Sequence, residues 1–309
     1  MSSVSHFIWK KTLGAPERLP LSPEEYVCLE KAWKTLIGML DFEEEFDNVI
    51  QNYIDLEQGF LSTAIHSMVR SRTDLVEFRK VRIKFARLLS NLLSSCRSYL
   101  DHSPHHLGQI ADGGSESFKA KTSAAYSSEF AYRFMEALRN YAQHRGSPLH
   151  GTTFSSRRVE REETGFGLQY SIWASVDVEK LRSDPKFKRS ILAGVTAERI
   201  DVLALCRIYV EKIGELHVKM RDELASQIDD AKGLLRAALA RFESETGNSS
   251  IGVGFASSKN DRTIDDFQGI PEDIIGLYES LVKQNRQVIN LRHRFVSNEL
   301  LSERTTGLP

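Results

Sequence analysis

The strongest constraint on this 309-residue chain is an apolar seam between Thr196 and Gly247. Cys206, Val210, Ile213, His217, Met220, Leu224, Ile228, Ala231, Leu235, Ala238 and Phe242 step by 4,3,4,3,4,4,3,4,3,4. Only a helix returns side chains to one face at that spacing. The segment therefore predicts one long helix, capped by Thr196 and stopped by Gly247, spanning roughly 75 Å at about 1.5 Å per residue. The pattern is a heptad with one extra step. Gly214 and Gly233 are the positions where such a helix would bend.

The same period recurs elsewhere. Ser22-Pro23-Glu24-Glu25 combines an N-cap, a first-turn proline and first-turn acids, and the helical spacing of Tyr26, Leu29, Trp33, Leu36 and Ile37 follows. A second helix is expected from Phe42 towards Arg70, broken near Gly59. A third runs from Asp74 to Asp101 on a stripe of Phe78, Val81, Phe85, Leu88, Leu89, Leu92 and Leu93. Residues 102–117, with His-Ser-Pro-His-His and Gly113-Gly114, read as a loop. A helix from Ser127 to His144 then buries Phe130, Phe134, Ala137, Leu138 and Tyr141, and Gly146 and Pro148 end it. Strand-like alternation over 152–161 and 167–176, around Thr164-Gly165-Phe166-Gly167, predicts a β-hairpin. Residues 1–20, punctuated by Pro16 and Pro20, read as irregular, and 247–270 as a loop or short strands. A last helix is expected from Pro271 to about Leu300. Eight prolines and nineteen glycines are few enough for long helices. The expected fold is mainly α: a single helical domain over 1–309, with a hairpin insertion at 152–176 and a long helix at 196–247.

Charge narrows the function classes. Lys plus Arg is 41 and Asp plus Glu 42, a net charge of −1. That excludes a histone-like protein that grips nucleic acid by bulk charge. The balance is nevertheless segregated. Residues 41–60 carry seven acids and no base, whereas 70–97 carry eight bases against Asp74 and Glu77. The two stretches are expected to pair on adjacent helices, or else the basic one is open to phosphates. Cys28, Cys96 and Cys206 form neither a disulfide framework nor a zinc cluster. Neither a membrane span nor a secretory signal is legible. A reducing, cytoplasmic setting, with no membrane partner, no metal and no cofactor, is the resulting expectation.

The sharpest local feature is Leu138-Arg139-Asn140-Tyr141-Ala142-Gln143-His144-Arg145-Gly146. The Arg-to-His spacing alone has little weight, because Arg97/His102 and Arg145/His150 share it. Context separates them. Asn140 and His144 are four apart and share a helix face. His144 stands in a last turn, where side chains project past the helix end.

This pattern, an Arg followed by a polar residue and then a His at a helix C-terminus after another long helix, resembles the HEPN superfamily. The motif covers six residues, and its helical context extends over 74–146. The resemblance implies a helical core there and a metal-independent endoribonuclease. It also implies a homodimer that apposes two motifs, a toxin or phage-defence setting, and an antitoxin or other protein partner. The residue types suit such chemistry. His is the side chain whose ordinary pKa lies nearest neutrality, and Arg holds phosphate bidentately. His144 is then general base or acid, Arg139 the phosphate clamp and Asn140 the positioner, with RNA as substrate. Tyr141 and Arg145 are weaker substrate-binding candidates. Arg and His in a last helical turn also complement the helix dipole without any catalysis.

Two other readings stand beside this one. The chain is a non-catalytic interaction protein that uses the 196–247 seam as its partner surface, or it binds nucleotides on a HEPN-like fold without cutting. His102, His105 and His106 read as solvated rather than metal-binding, and His217 as a satisfied core residue. Ile251-Gly252-Val253-Gly254-Phe255 lacks the Lys-Ser/Thr of a phosphate loop.

Overall fold

The computed structural model describes residues 4–11, 17–70, 74–160, 165–260, 263–286, 288 and 290–296. Pro16, Arg72, Thr164 and the tail beyond 296, including Leu300, lie outside the described residues. Ser22 caps α1 (Pro23–Val69) in a reciprocal capping box with Glu25. This helix is one continuous element of 47 residues, about 70 Å long, where two had been expected. Gly59 does not break it. A Cβ there would stand 2.6 Å from Leu88 Cδ1, so the glycine admits the neighbouring helix.

That neighbour, α2 (Leu75–Ile110), begins at the Asp74 cap and runs straight through Pro104. The expected loop at 102–117 is therefore largely helix. Proline removes one ladder donor, but Leu107 and Ile110 are buried further on, and Ile110 packs where Gly38 of α1 leaves room. Tertiary burial outweighs the local breaker. The helices α3 (Gly114–Ser128) and α4 (Phe130–His144) follow, joined at Glu129.

The α1–α2 pair packs through Val49, Leu56, Phe60, Phe85, Leu89 and their neighbours in the core. Its charges do not pair as expected. Acids of α1 meet other partners: Glu45 takes His102 at 2.8 Å, and Glu57 takes Arg207 at 2.6 Å. Among the described residues, no base of 70–97 reaches an acid of 41–60. Arg97 binds Asp101 and Glu136 instead.

The first strands correct the irregular reading of residues 1–20. β1 (Ser5–Lys10) pairs with β2 (Arg18–Leu21) and buries Phe7 and Ile8. β3 (Gly151–Val159) and β4 (Gly167–Asp177) form the expected antiparallel hairpin, from Gly151↔Ser175 to Val159↔Gly167. The short α5 (Val178–Ser183) leads to β5 (Arg199–Asp201), which pairs with β4.

The 196–247 seam makes two helices, α6 (Val202–Glu223) and α7 (Ala225–Thr246). Asp201, not Thr196, caps α6 through the Leu203 N–H. The break falls at Leu224, where two steps of four adjoin, and not at either glycine. That extra step is the place where one straight stripe cannot continue. Gly247 ends α7 in the left-handed conformation at φ 71°, as read from sequence. The seam is buried from Cys206 to Phe242, so it is core and not a partner surface. β6 (Val253–Ser258) joins β1 to β7 (Asp266–Gly269), completing a sheet of order β2-β1-β6-β7. The last helix, α8 (Glu272–Gln284), stops well before the expected end. No described helix is long and apolar enough to cross a membrane.

Candidate functional site

The site is built on the end of α4. Ala131, Phe134, Met135 and Leu138 anchor this helix in the core, which leaves Asn140, Gln143 and His144 exposed. The helix closes when the N–H groups of Arg145 and Gly146 both donate to the Tyr141 carbonyl, and Pro148 and Leu149 then bury the exit. His144 is therefore presented by a rigid helix on a solvent-facing surface.

A cavity of about 600 Å³ opens at this point. One wall carries Asn140, Tyr141, His144 and Arg145. Asp184, Lys186, Phe187 and Lys188 form the other. The second wall is shaped locally. Asp184 Oδ1 accepts the N–H groups of Lys186 at 2.8 Å and Phe187 at 3.2 Å, which folds the segment into a tight turn. Asp184 Oδ2 faces Arg145 Nε at 3.4 Å and ties the walls together. Lys188 Nζ donates to the Tyr126 hydroxyl at 3.2 Å. Arg145, Lys186 and Lys188 outnumber the two lining carboxylates, Asp184 and Glu136, and Glu136 is already engaged by Arg97 and Tyr209, so the opening is suited to an anion. The sequence signal for the second wall was the basic run Lys180, Arg182, Lys186, Lys188 and Arg189, but nothing local tied that run to α4.

Asn140 and His144 share the cavity, as their spacing predicts. Arg139 does not line it. Five residues of helix turn about 500°, which sets Arg139 and His144 on different faces. Arg139 Nη1 donates to Asn140 Oδ1 at 3.1 Å, and its Nε is buried without a partner. The bond occupies Asn140 Oδ1, while the Asn140 side chain lines the cavity. Burial and the nearby Asp184 carboxylate raise the pKa of Tyr141, so its phenol stays protonated.

The rival Arg/His pairs are held in other ways. His102 binds Glu45 while Arg97 binds Asp101 and Glu136. His150 accepts the Asp177 N–H on Nδ1 at 3.0 Å, so its proton sits on Nε2, which faces the Tyr141 oxygen at 3.4 Å. Burial first, then Lys180, push the His150 pKa down and keep it neutral.

His217 lies at the opposite extreme. It is fully buried, stacked on Phe42 and Phe46, with Tyr99 on Nδ1 at 3.2 Å and Glu43 on Nε2 at 3.1 Å. Arg221 clamps Glu43 with two bonds of 2.7 and 2.6 Å. Burial lowers the His217 pKa and keeps the ring neutral, and its Nε2 faces both Glu43 and Arg221 Nη2, the latter at 3.0 Å. Burial opposes ionisation of Glu43, but His217 and Arg221 outweigh it and hold the carboxyl below its usual range. His102, His105 and His106 lie on α2. Among the described residues no group of three or more His, Cys, Asp or Glu is arranged to hold a metal ion. The chain matches no protein-family model, no curated protein and no solved structure.

Proposed function

We propose that the chain is a metal-independent endoribonuclease of the HEPN type, acting in the cleft at the end of α4. The observation that carries this reading is the convergence of His144, Asn140 and three cations on one open cavity. In the reaction a ribose 2′-oxygen attacks the adjacent phosphorus, the bond to the 5′-oxygen breaks, and a 2′,3′-cyclic phosphate and a 5′-hydroxyl result. His144 takes the 2′-OH proton or supplies the leaving-group proton. Arg145, Lys186 and Lys188 hold the phosphate and the charge that builds on it. Asn140 donates to a phosphate oxygen, and Arg139 steadies Asn140 from outside the cavity instead of clamping the phosphate itself. One histidine serves one of the two proton transfers. A second copy, facing the first in a homodimer, supplies the other. A toxin or phage-defence role with RNA as target, and an antitoxin as partner, belong to the same reading.

The test is incubation of purified protein with mixed RNA in EDTA, beside His144→Ala. Wild type cleaves, and the variant loses about 10²–10⁴-fold of the rate. Undiminished cleavage by His144→Ala would overturn the assignment. Binding of RNA without cleavage would move the chain to the nucleotide-binding reading.

A further inference from the structure

A second cavity, of about 940 Å³, adjoins the first, and the two share Tyr126 and Glu136 as lining residues. Their charges differ. In the smaller chamber, cations exceed acids. In the larger, Arg97 is already neutralised by Asp101 at 2.5 Å and Glu136 at 3.4 Å. Glu136 is further occupied by the Tyr209 hydroxyl. A phosphate gains little from a cation so matched. Lys119 also lines this chamber, so its two cations are balanced by two carboxylates, and Gln109, Thr122 and Ser123 add neutral hydrogen-bonding groups. Tyr126 stands at the junction and is braced from behind. Arg133 donates to the carbonyls of Tyr126 at 3.0 Å and Ser127 at 2.7 Å. Lys188 Nζ sits beside this ring, 5.5 Å from its centroid, at the seam between the chambers.

An uncharged planar group with donors and acceptors on its rim fits the larger chamber, and its linking phosphate fits Lys188. We infer that the larger cavity is a nucleobase subsite of the same cleft, with Tyr126 as its stacking platform. The inference rests on the ribonuclease reading and adds that the ligand is an oligonucleotide of at least two residues, not a mononucleotide.

The experiment compares calorimetric binding of a 2′-O-methyl dinucleotide, whose attacking hydroxyl is blocked, with that of a 3′-mononucleotide. Wild type binds the dinucleotide roughly tenfold or more tightly, the range of one base–aromatic stack. Tyr126→Ala removes the difference and Tyr126→Phe keeps it. Ser123→Trp, at an exposed helix position, places a bulky ring in the chamber and removes the difference even if Tyr126→Ala fails to fold. Equal affinities for the two probes in wild type, or a difference untouched by both Tyr126→Ala and Ser123→Trp, overturn the subsite. If wild-type protein still cleaves RNA in that case, the ribonuclease reading survives. A tenfold preference lost in the variants, without cleavage, supports the subsite and overturns the nuclease. Binding of neither probe overturns the subsite whatever the cleavage result.

Discussion

His217 and His144 stand near the ends of neighbouring helices, α6 and α4, and use the same ring in opposite ways. Around His217 every polar atom is spent internally: Tyr99 takes one nitrogen, Glu43 the other, and Arg221 closes on Glu43. Around His144 no partner is drawn in among the described residues, and the cations nearby line the same opening. The first arrangement stabilises one fold and leaves nothing to bind a ligand. The second contributes little to the fold and keeps its hydrogen-bonding capacity for something outside it. A histidine's role follows from where its partners point.

Breaking the buried side has the largest expected effect. Glu43→Ala strands Arg221 and His217 in the core, and removal of one partner from a buried pair costs about 3–5 kcal/mol. Urea unfolding reads this as a drop in midpoint at unchanged slope. A loss below about 1 kcal/mol would show that water reaches the cluster and that the contrast with the cleft is false.

Acidification acts on the same cluster more gradually. His217 and Glu43 both have depressed pKa values in the fold, so the unfolded chain binds more protons and stability falls as pH falls. The His217 contribution is complete above the ordinary histidine value of about 6.5 and is lost as pH drops from there towards its folded value. The Glu43 contribution is complete above about 4.3 and is lost below that. Urea midpoints between about pH 7.5 and about pH 3, a window that brackets the ordinary histidine and glutamate values, should decline in that order. A flat profile from neutrality down to the carboxylate range would mean that His217 is not held neutral.

The smallest effect sharpens the other side. His144→Ala should leave stability within about ±0.5 kcal/mol, as for an exposed residue outside any network, even as it removes cleavage. A loss of several times that amount would make His144 a structural residue, and the dipole-complementing role of a last-turn histidine would then suffice.

Much of this contrast was readable from residue order. The place of His217 in a stripe of Val210, Ile213 and Met220 marks it as core. The Gly146 and Pro148 stop after His144 marks that residue as the end of a helix. Glu43 was not readable as its partner, because an acid among Glu43, Glu44 and Glu45 looks solvated, and 174 residues separate it from His217. Asp184, Lys186 and Lys188 were visible only as a charged stretch. Tyr126 carried no signal at all.

What the chain determines by itself is therefore local: the Ser22 capping box, the faces of α2, α4 and the α6–α7 seam, the β3–β4 hairpin, and the stutter at which the seam divides. These follow from backbone hydrogen bonding and side-chain period within a few turns. Only the tertiary structure carried α2 through Pro104, paired Ser5 with Ser258 in the register of β1 and β6, and brought the 184–191 segment against α4 to close the cleft. The physical reason is common to all three. Each depends on which apolar faces meet, and burial across distant segments outweighs the local preference of any one residue.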